Sequence, residues 1–367
     1  MTRIALLHPF SWPNVHRGGE RYLHDLAWYL TRQGVDVDIV TGGAPGVVQT
    51  DDGRRVQRRT LRRLAIGGMT VTDTFGASAL SWLARHRYDV VHALTPTAAL
   101  AGVLTRQRTV YTALGHPSAQ SLSHRKHDAR LFRTTVRSVD APLAYSESAA
   151  DAIAMLTGVR PRVAPLGVRI GQFPLRDEPR TGPPRVLFPA DADDPRKCLD
   201  VLVAAFDRVL DKHPDARLVL AGGGGTTNAF ATLDPATRER VRNATDDMGP
   251  TEISDIPARF AAATVTVLPS VEEAFGVVLV ESLATGTPVV ATASGGPLEI
   301  VDDERVGRLA QPRDPDSVAD AVCAAIDLAA VPTTPRACAE HARRWDWTEK
   351  IGPLHETLYR QVARSWT

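Results

Sequence analysis

The sequence predicts an α/β protein of two doubly wound domains, each a parallel sheet with helices on both faces. Short apolar strands alternate with amphipathic helices along the chain, which is the pattern of βαβ units. This pattern runs twice, and the second series starts near Arg185. The 367 residues are enough for two separate hydrophobic cores.

The first series opens with an apolar run at residues 4–10, as expected of a strand buried on both faces. Apolar residues spaced three and four apart then predict a helix, which Gly34 ends. Further strands are predicted at residues 35–39, 89–94, 108–114 and 141–146. Ser146 or Ser148 is the expected cap of the helix after the last of these strands.

The second series opens with an apolar strand at residues 186–188, and a helix is predicted at residues 199–212. Further strands, each followed by a helix, are predicted at residues 217–221, 265–268 and 288–292. Residues 174–184 are rich in proline and charge and have no periodicity, which is typical of a linker. The chain ends in an amphipathic helix at about residues 346–367.

Charge is distributed unevenly, although the net charge of the chain is only +1. Residues 1–168 carry a net +9 and the remainder a net −8, which suggests that the first half meets an anionic partner. No apolar run approaches the ~20 residues that span a bilayer, and the opening segment is too short for a signal peptide. The three cysteines are odd in number and lack CxxC spacing, so no disulfide framework or zinc site is expected and a cytoplasmic location is favoured.

Two glutamates eight residues apart form the most informative motif. Glu273 lies in a loop after the strand at residues 265–268, and Gly276 opens a helix that contains Glu281. Ligands of doubly wound sheets bind beyond the carboxyl ends of the strands, and a helix N-terminus can face a phosphate. A carboxylate can accept two hydroxyl hydrogen bonds at once, so both residues suit a hydroxyl-rich ligand. The alternative is a pair of surface carboxylates favoured by the helix dipole.

With Gly286-Thr-Pro-Val-Val and Gly295-Gly-Pro-Leu-Glu299 following in order, this stretch resembles the retaining glycosyltransferases of family four and their E-x7-E motif. The resemblance implies the GT-B fold, which has two Rossmann-like domains facing across a cleft and a C-terminal helix that crosses back to the N-terminal domain. It also implies that Glu273 holds hydroxyls of the donor sugar and that Glu281 holds the ribose hydroxyls.

The resemblance also gives each domain a role. Residues 1–168, together with the C-terminal helix at about residues 346–367, would form an acceptor-binding domain. Residues 169–345 would form the domain that binds the nucleotide sugar.

Several residues are assigned to the donor diphosphate by the same resemblance. Gly18 and Gly19 would let backbone amides approach it without an intervening side chain, although Gly-Gly is also an ordinary strand-to-helix turn. Lys197 would neutralise the diphosphate as the sugar leaves. Asp191 stands where the family has a partner arginine, so we expect Arg196 to take over, the loop to turn Asp191 away, or catalysis to be impaired.

Three more positions match the family's pattern. His116, at the end of a strand, matches a histidine near the donor sugar and the reacting carbon. Gly222 opens a glycine turn that would lie beneath the nucleotide, and Glu299 matches a residue that contacts the diphosphate and sugar. A structural histidine and a flexible surface loop are the alternatives at the first two positions.

Two basic tracts stand out in the first half. Residues 54–63 include Arg58, Arg59 and Arg62, and a second tract covers residues 124–137. An anionic acceptor or an anionic membrane surface is one hypothesis. A solvated face is slightly favoured, because the chain uses 39 Arg and only 4 Lys, as high-GC coding tends to give. Few aromatics are interleaved and no nucleic-acid motif is present, so DNA or RNA binding is not expected.

The resemblance therefore predicts a retaining hexosyltransferase that moves a sugar from a nucleotide-diphosphate sugar to a hydroxyl of an acceptor. The acceptor is left open among a small natural product, a glycolipid and a polysaccharide precursor, and so is the oligomeric state. UDP-sugars are favoured and GDP-sugars come second, by their frequency in the family. No cofactor and no metal are expected, because cationic side chains would do the work of Mg²⁺.

Two other functions remain open on the sequence. A non-catalytic sugar-nucleotide-binding scaffold is conceivable because of Asp191. A sugar-nucleotide epimerase shares the fold, but the spacing of the two glutamates argues against it. An oxidoreductase is disfavoured, since no G-x-G-x-x-G follows the first strand.

Overall fold

The chain divides into two compact units. The first unit contains Met1–Gly167 and Trp347–Thr367, and the second contains Val168–Asp346. The computed structural model describes residues 2–12, 18–42, 46–49, 55–64, 69–117, 128–178 and 182–364.

The first unit is built on an eight-stranded sheet. Its strands are β1 (Arg3–Leu7), β2 (Asp36–Thr41), β3 (Gly46–Gln49), β4 (Arg55–Thr60), β5 (Val90–Ala93), β6 (Thr109–Thr112), β7 (Ala141–Ala144) and β8 (Arg162–Val163). Its first five helices are α1 (Gly18–Arg32), α2 (Val71–Leu83), α3 (Pro96–Leu104), α4 (Asp128–Ser138) and α5 (Glu147–Thr157).

The strand order of this sheet is β3-β4-β2-β1-β5-β6-β7-β8, and only the β3–β4 pair is antiparallel. β1 pairs with β2 on one side and β5 on the other, so Leu6 lies between Ile39 and His92. The apolar run of β1 is buried, as a central strand covered on both faces requires. Phe75, Leu83 and other apolar side chains of the helices complete a core on one face of the sheet.

The second unit is built on a six-stranded sheet. Its strands are β9 (Arg185–Phe188), β10 (Arg217–Leu220), β11 (Thr245–Asp247), β12 (Val265–Leu268), β13 (Val289–Thr292) and β14 (Gly307–Ala310). Its helices are α6 (Leu199–Lys212), α7 (Thr227–Ala231), α8 (Pro235–Asn243), α9 (Ile256–Ala262), α10 (Val277–Ala284), α11 (Pro297–Ile300), α12 (Pro315–Ala329) and α13 (Thr334–Ala342). The strands are parallel, in the order β11-β10-β9-β12-β13-β14.

The C-terminal segment belongs to the first unit. A π-helical turn at Trp347–Ile351 leads into the last helix, α14 (Gly352–Arg364). A Cβ placed on Gly352 would lie 2.2 Å from the ring of Tyr29, so glycine is needed where α14 packs against α1. The ring of Trp347 likewise packs directly on the backbone of Gly167.

The predicted fold class is confirmed, because both units are parallel α/β sheets of the doubly wound type. The observed bounds of α6 and β12 equal the predicted ones. Ser146 rather than Ser148 caps α5, since its hydroxyl accepts a hydrogen bond from the Ala149 N–H at 3.1 Å. β1 ends at Leu7 instead of continuing to residue 10, because the His8 ring bonds the Phe10 backbone and turns the chain.

The proline-rich segment predicted as a linker does not separate the two units. Residues 174–178 are part of the second unit, where the Arg176 N–H donates to the Thr285 carbonyl at 3.1 Å. The Asp177 carboxylate pairs with the Arg336 guanidinium, whose Nε lies 2.8 Å from Oδ1. Composition alone missed this packing, because it depends on partners more than 100 residues away in sequence.

Among the described helices, none is by itself long and apolar enough to cross a bilayer. One pair, Pro315–Ala329 with Thr334–Trp345, meets the criterion jointly by length and composition, but it is bent by 107°.

Candidate active site

The strand order of the second sheet creates a crevice next to its central strand. β9 pairs with β10 on one side and β12 on the other, so the chain leaves β9 and β12 in opposite directions. Ligands of open α/β sheets bind at this kind of switch point, beyond the carboxyl ends of the strands. Lys197 follows β9 and Glu273 follows β12, so the structure places both residues at this edge.

Lys197 and Glu273 form a direct ion pair. The Lys197 Nζ lies 2.5 Å from Oε2 of Glu273, and the two side chains are 22% and 16% exposed. Partial burial weakens the screening by water, so this is a stronger contact than a surface ion pair. The arrangement puts a cation and a hydroxyl-accepting carboxylate side by side at the switch point.

Backbone contacts hold the Glu273 loop between its neighbours. The Val271 N–H donates to the Arg196 carbonyl at 2.8 Å, which ties this loop to the loop after β9. The Gly296 N–H donates to the Glu273 carbonyl at 2.9 Å, which ties it to the loop after β13. A Cβ on Gly295 would lie 2.2 Å from that same carbonyl oxygen. The Gly295-Gly296 motif is therefore required for close approach of two loops.

Arg196 is bound by its own neighbour in this structure. Its Nη2 lies 2.5 Å and its Nε 3.1 Å from the two carboxylate oxygens of Asp194. Partial burial acts to raise the pKa of Asp194, but hydrogen bonds from the Arg196 side chain and backbone outweigh it and hold the pKa below its ordinary value. Sequence reasoning missed Asp194, although an aspartate before a proline is a recognisable helix-cap signal.

Asp191, at the position where the resemblance predicts an arginine, is engaged in its own loop. Its Oδ1 accepts a hydrogen bond from the Asp193 N–H at 3.0 Å. A Cβ placed on Gly224 would lie 2.5 Å from the same oxygen. Asp191 thus faces the glycine turn that begins at Gly222. The three outcomes predicted for this position stay predictions.

Gly222 is required by the packing of two loops. A Cβ on this residue would lie 1.7 Å from the carbonyl oxygen of Ala190, and the Gly223 carbonyl accepts a hydrogen bond from the Ala192 N–H at 2.8 Å. The glycine turn thus closes on the backbone of the loop after β9. The predicted contact of Gly222 with a nucleotide stays a prediction.

Helix α10 carries the second glutamate of the motif. Gly276 precedes it with a left-handed φ of +92°, and Glu281 is its fifth residue, only 2% exposed. Glu281 is therefore a nearly buried glutamate on the helix that follows the Glu273 loop. Glu299 is the third residue of the short helix α11 and is half-buried. Their proposed ligand contacts stay predictions.

In the first unit, the two predicted glycines open helix α1. Gly18 is exposed, and a Cβ on Gly19 would lie 3.1 Å from the side chain of Leu114. Leu114 belongs to the loop after β6, which also carries His116. The start of α1 and the His116 loop are therefore neighbours, as two loops at the carboxyl edge of one sheet should be.

His116 is half-buried and contacts a serine at the start of the next helix. Its Nε2 lies 3.1 Å from the Ser148 hydroxyl at the start of α5. Its Nδ1 is buried and has no hydrogen-bond partner in the described part of the chain. A buried ring nitrogen without a partner is destabilising, which is compatible with a role toward a ligand.

The predicted acceptor arginines are in three different situations. Arg59 pairs with the buried carboxylate of Asp38, with Nε at 3.3 Å from Oδ1. The Arg58 Nη2 donates to the Trp12 carbonyl at 2.9 Å, and burial lowers the pKa of this guanidinium from its ordinary value. Arg62 is exposed. Arg58 and Arg59 thus have structural contacts, while Arg62 presents its side chain to solvent.

The structure describes the second basic tract from residue 128 onward, so its residues 124–127 lie outside the described residues. Residue 54 of the first tract also lies outside them. Arg133 and Arg137 of α4 donate to the Leu156 and Thr157 carbonyls at 3.2 Å and 2.7 Å. These carbonyls are at the C-terminal end of α5, where a cation stabilises the helix dipole. This part of the tract is structural.

In the ranges that the structure describes, no group of three or more His, Cys, Asp or Glu side chains is arranged to hold a metal ion. The residues 191–193, which have the letters of a DxD motif, instead form the turn described above.

Family models match both halves of the chain. The model described as "Glycosyltransferase Family 4" matches residues 16–172, and the model described as "Glycosyl transferases group 1" matches residues 183–327. A curated relative, the phosphatidyl-myo-inositol mannosyltransferase of Propionibacterium freudenreichii subsp. shermanii, is 28% identical over 82% of this chain and 80% of its own.

Solved structures agree in fold over nearly the whole chain. Sucrose-phosphate synthase from Thermosynechococcus elongatus superposes with a TM-score of 0.79 at 22% identity and covers 100% of both chains. The Anabaena protein Alr3699/HepE in complex with UDP and glucose superposes with a TM-score of 0.77 at 20% identity, covering 98% of this chain and 100% of its own. With both halves matched by these family models and with this fold, the chain is a GT-B glycosyltransferase of the family-four type.

Proposed function

We propose that this glycosyltransferase catalyses a retaining transfer of a sugar from a nucleotide-diphosphate sugar to a hydroxyl of an acceptor. The observation that carries the proposal is the ion pair of Lys197 with Glu273 at the switch point of the second sheet. Phosphoryl and sugar hydroxyl groups need these two functions, a cation and a carboxylate, next to each other.

In this proposal Lys197 binds the diphosphate and stabilises the negative charge that develops as the sugar leaves. Glu273 accepts hydrogen bonds from sugar hydroxyls, and Glu281 accepts those of the ribose. The bond from the anomeric carbon to the phosphate oxygen breaks, and a bond to the acceptor oxygen forms on the same face. The acceptor's proton passes to the departing phosphate oxygen, so no nucleophilic side chain is required.

Glu281 is nearly buried, with an exposure of 2%. In this proposal the nucleoside binds a largely covered carboxylate, so we expect donor binding to be accompanied by a rearrangement of the groups around Glu281.

UDP-sugars are the favoured donors. The fold of the Anabaena protein whose structure contains UDP and glucose extends over 98% of this chain. UDP is also the commonest donor nucleotide in the family. We propose that no metal takes part, with Lys197 supplying the positive charge to the diphosphate.

The acceptor proposed is a hydroxyl compound that carries an anionic group. The net +9 of residues 1–168 and the exposed Arg62 favour such a compound. The relative named phosphatidyl-myo-inositol mannosyltransferase is named for an acceptor that is a phosphorylated polyol, and this agrees with an anionic acceptor here. A phosphorylated cyclic polyol is therefore the first acceptor to test.

The non-catalytic scaffold is the alternative to be excluded by experiment. Thermal unfolding with EDTA present should be measured against UDP, GDP, ADP, dTDP and their common sugars. A nucleotide at 100 times its Kd adds about 2.7 kcal/mol of stability. We expect a UDP ligand to stabilise the wild type and to fail with Glu281→Ala, whereas Glu239→Ala, an exposed change on α8, should behave as the wild type.

Turnover then distinguishes an enzyme from a scaffold. Release of the nucleoside diphosphate should depend on both the donor and a phosphorylated polyol, and nuclear magnetic resonance of the product should show the donor's anomeric configuration. Binding without any release of diphosphate across the acceptor panel would support the scaffold. An inverted product would contradict the retaining course while leaving the transferase in place.

A further inference from the structure

A chain of buried hydrogen bonds connects the C-terminal segment with the start of α1. The hydroxyl of Tyr22, in the second turn of α1, lies 2.6 Å from Nε2 of His355 in α14. Tyr22 is 2% exposed and His355 is fully buried. The two residues are 333 positions apart in sequence, so only the fold brings them together.

The direction of this hydrogen bond is fixed by a second contact. Nδ1 of His355 lies 2.8 Å from the Ile351 carbonyl oxygen, which can only accept. Nδ1 therefore carries the proton, and the unprotonated Nε2 accepts from the Tyr22 O–H. The bond requires one tautomer of a neutral histidine and one orientation of the phenol.

A second set of buried hydrogen bonds meets Tyr22 from the sheet. The His92 ring bonds the Tyr359 hydroxyl at 2.5 Å and the Thr112 hydroxyl at 2.7 Å. Thr112 also hydrogen-bonds the Tyr22 side chain. Thr112 is the last residue of β6, so this set of hydrogen bonds joins α14 and α1 to the central strands of the sheet.

Packing makes α1 sensitive to this contact. α1 is pressed against α14 at Gly352 and against Leu114 at Gly19, with the close approaches given above. A directional bond on the fifth residue of α1 restricts the rotation of the helix, and hence the direction in which its first backbone amides point.

We propose that Tyr22 and His355 are positioning residues: their hydrogen bond uses the C-terminal segment to fix the start of α1 in the orientation that receives the donor diphosphate. This inference rests on the proposed function and on the predicted approach of the Gly18 and Gly19 amides to that diphosphate. The C-terminal segment is then a part of the donor site's framework and more than a structural closure of the first unit.

Two matched variants test this role by kinetics. Tyr22→Phe removes the bond to His355. Tyr359→Phe removes a similarly buried bond of the same segment, to His92 on β5, and leaves the Tyr22–His355 bond in place. We expect Tyr22→Phe to raise the KM for the donor about tenfold, which corresponds to about 1.4 kcal/mol, with acceptor KM unchanged. Tyr359→Phe should leave the donor KM within about twofold. Equal effects of the two variants, or no effect of Tyr22→Phe, would overturn the proposal.

A rescue series separates positioning from loss of folding. His355→Gln keeps an amide that can donate to Ile351 and accept from Tyr22, so it should retain most of the donor affinity. His355→Leu keeps the approximate volume without either bond and should behave as Tyr22→Phe does. If Gln and Leu give the same donor KM, the hydrogen bond has no positioning role.

Hydrogen exchange tests the same contact without any turnover. His355→Leu should speed exchange of the amides of residues 22–25 at least about tenfold under conditions where β12 of the second unit is unchanged. Tyr359→Phe should not. If His355→Leu speeds exchange but the wild type turns over no donor, the positioning contact stands and the proposed function is rejected. If His355→Leu leaves exchange unchanged, the positioning contact is rejected.

Discussion

At the scale of single residues, the ion pair of Lys197 with Glu273 has a consequence for ligand binding. The two side chains neutralise each other at a distance of 2.5 Å. In the proposed reaction, however, the lysine binds the diphosphate and the glutamate accepts hydrogen bonds from the sugar. A donor that brings both groups replaces the pair with two new contacts. A nucleoside diphosphate without sugar must instead compete with Glu273 for the lysine.

Glu273→Gln should therefore bind UDP more tightly than the wild type while losing turnover. Freeing the lysine from a partly buried pair is expected to contribute about 1 kcal/mol, or roughly fivefold in Kd. Titration calorimetry measures the affinity, and donor turnover should fall by at least about 100-fold. Glu272→Gln removes the same charge from an exposed neighbour and should leave both values near those of the wild type. Weaker binding of UDP to Glu273→Gln would show that the pair helps to hold the diphosphate.

Asp191 gives a second prediction at this scale. Asp191→Asn keeps the oxygen that accepts the Asp193 N–H and removes a negative charge from the loop after β9. Less repulsion should tighten UDP binding about threefold, in a manner that disappears at high salt. Asp215→Asn, at an exposed position before β10, is the control. If Asp191→Asn and the wild type bind UDP with the same affinity at low salt, the carboxylate of Asp191 is too far from the diphosphate to affect binding.

At the scale of elements, glycines decide how closely the loops at the carboxyl edge of the second sheet approach. Gly222 lets the turn after β10 meet the backbone of Ala190, and Gly295 lets the turn after β13 meet that of Glu273. Both contacts are backbone against backbone, so a side-chain rotation cannot relieve an added methyl group. These glycines set the shape of the loops that hold Lys197 and Glu273.

Gly222→Ala is expected to destabilise the protein by about 3 kcal/mol or more, because the added Cβ would lie 1.7 Å from the Ala190 carbonyl oxygen. Gly223→Ala is the matched control, since a Cβ there has no neighbour within 4 Å. The stability of both variants is measured by urea unfolding, monitored with a spectroscopic probe in the second unit. The same midpoint for the two variants would mean that the two loops separate easily, and the glycine would then need another explanation.

At the scale of the whole molecule, the buried histidines make the stability of the first unit depend on pH. Burial lowers the pKa of His355 from 6.5 to about 4, and burial together with the nearby His355 lowers that of His92. A lowered histidine pKa means that the unfolded chain binds more protons between about pH 6.5 and 4. Stability is therefore present above this window and is lost as the pH falls through it.

The free energy of unfolding of the first unit should fall by about 3 kcal/mol between pH 7 and pH 4 from His355 alone. Denaturant unfolding at fixed pH values measures the dependence, and His355→Gln should flatten it. Tyr22 and Tyr359 lie next to the two histidines, and burial raises the pKa of both phenols, so they do not titrate in this window. An unchanged slope in His355→Gln would assign the acid sensitivity to other groups.

The sequence determined the periodic features of this protein. The regular spacing of apolar residues gave α6 and β12 their predicted bounds, and the spacing of Glu273 and Glu281 gave the family resemblance, because burial period and motif spacing are local properties. Only the tertiary structure decided which distant groups meet. Lys197 reaches Glu273 across 76 residues, and Tyr22 reaches His355 across 333. These pairings depend on strand order and on how closely backbones can pack, and neither is encoded in the neighbourhood of any one residue.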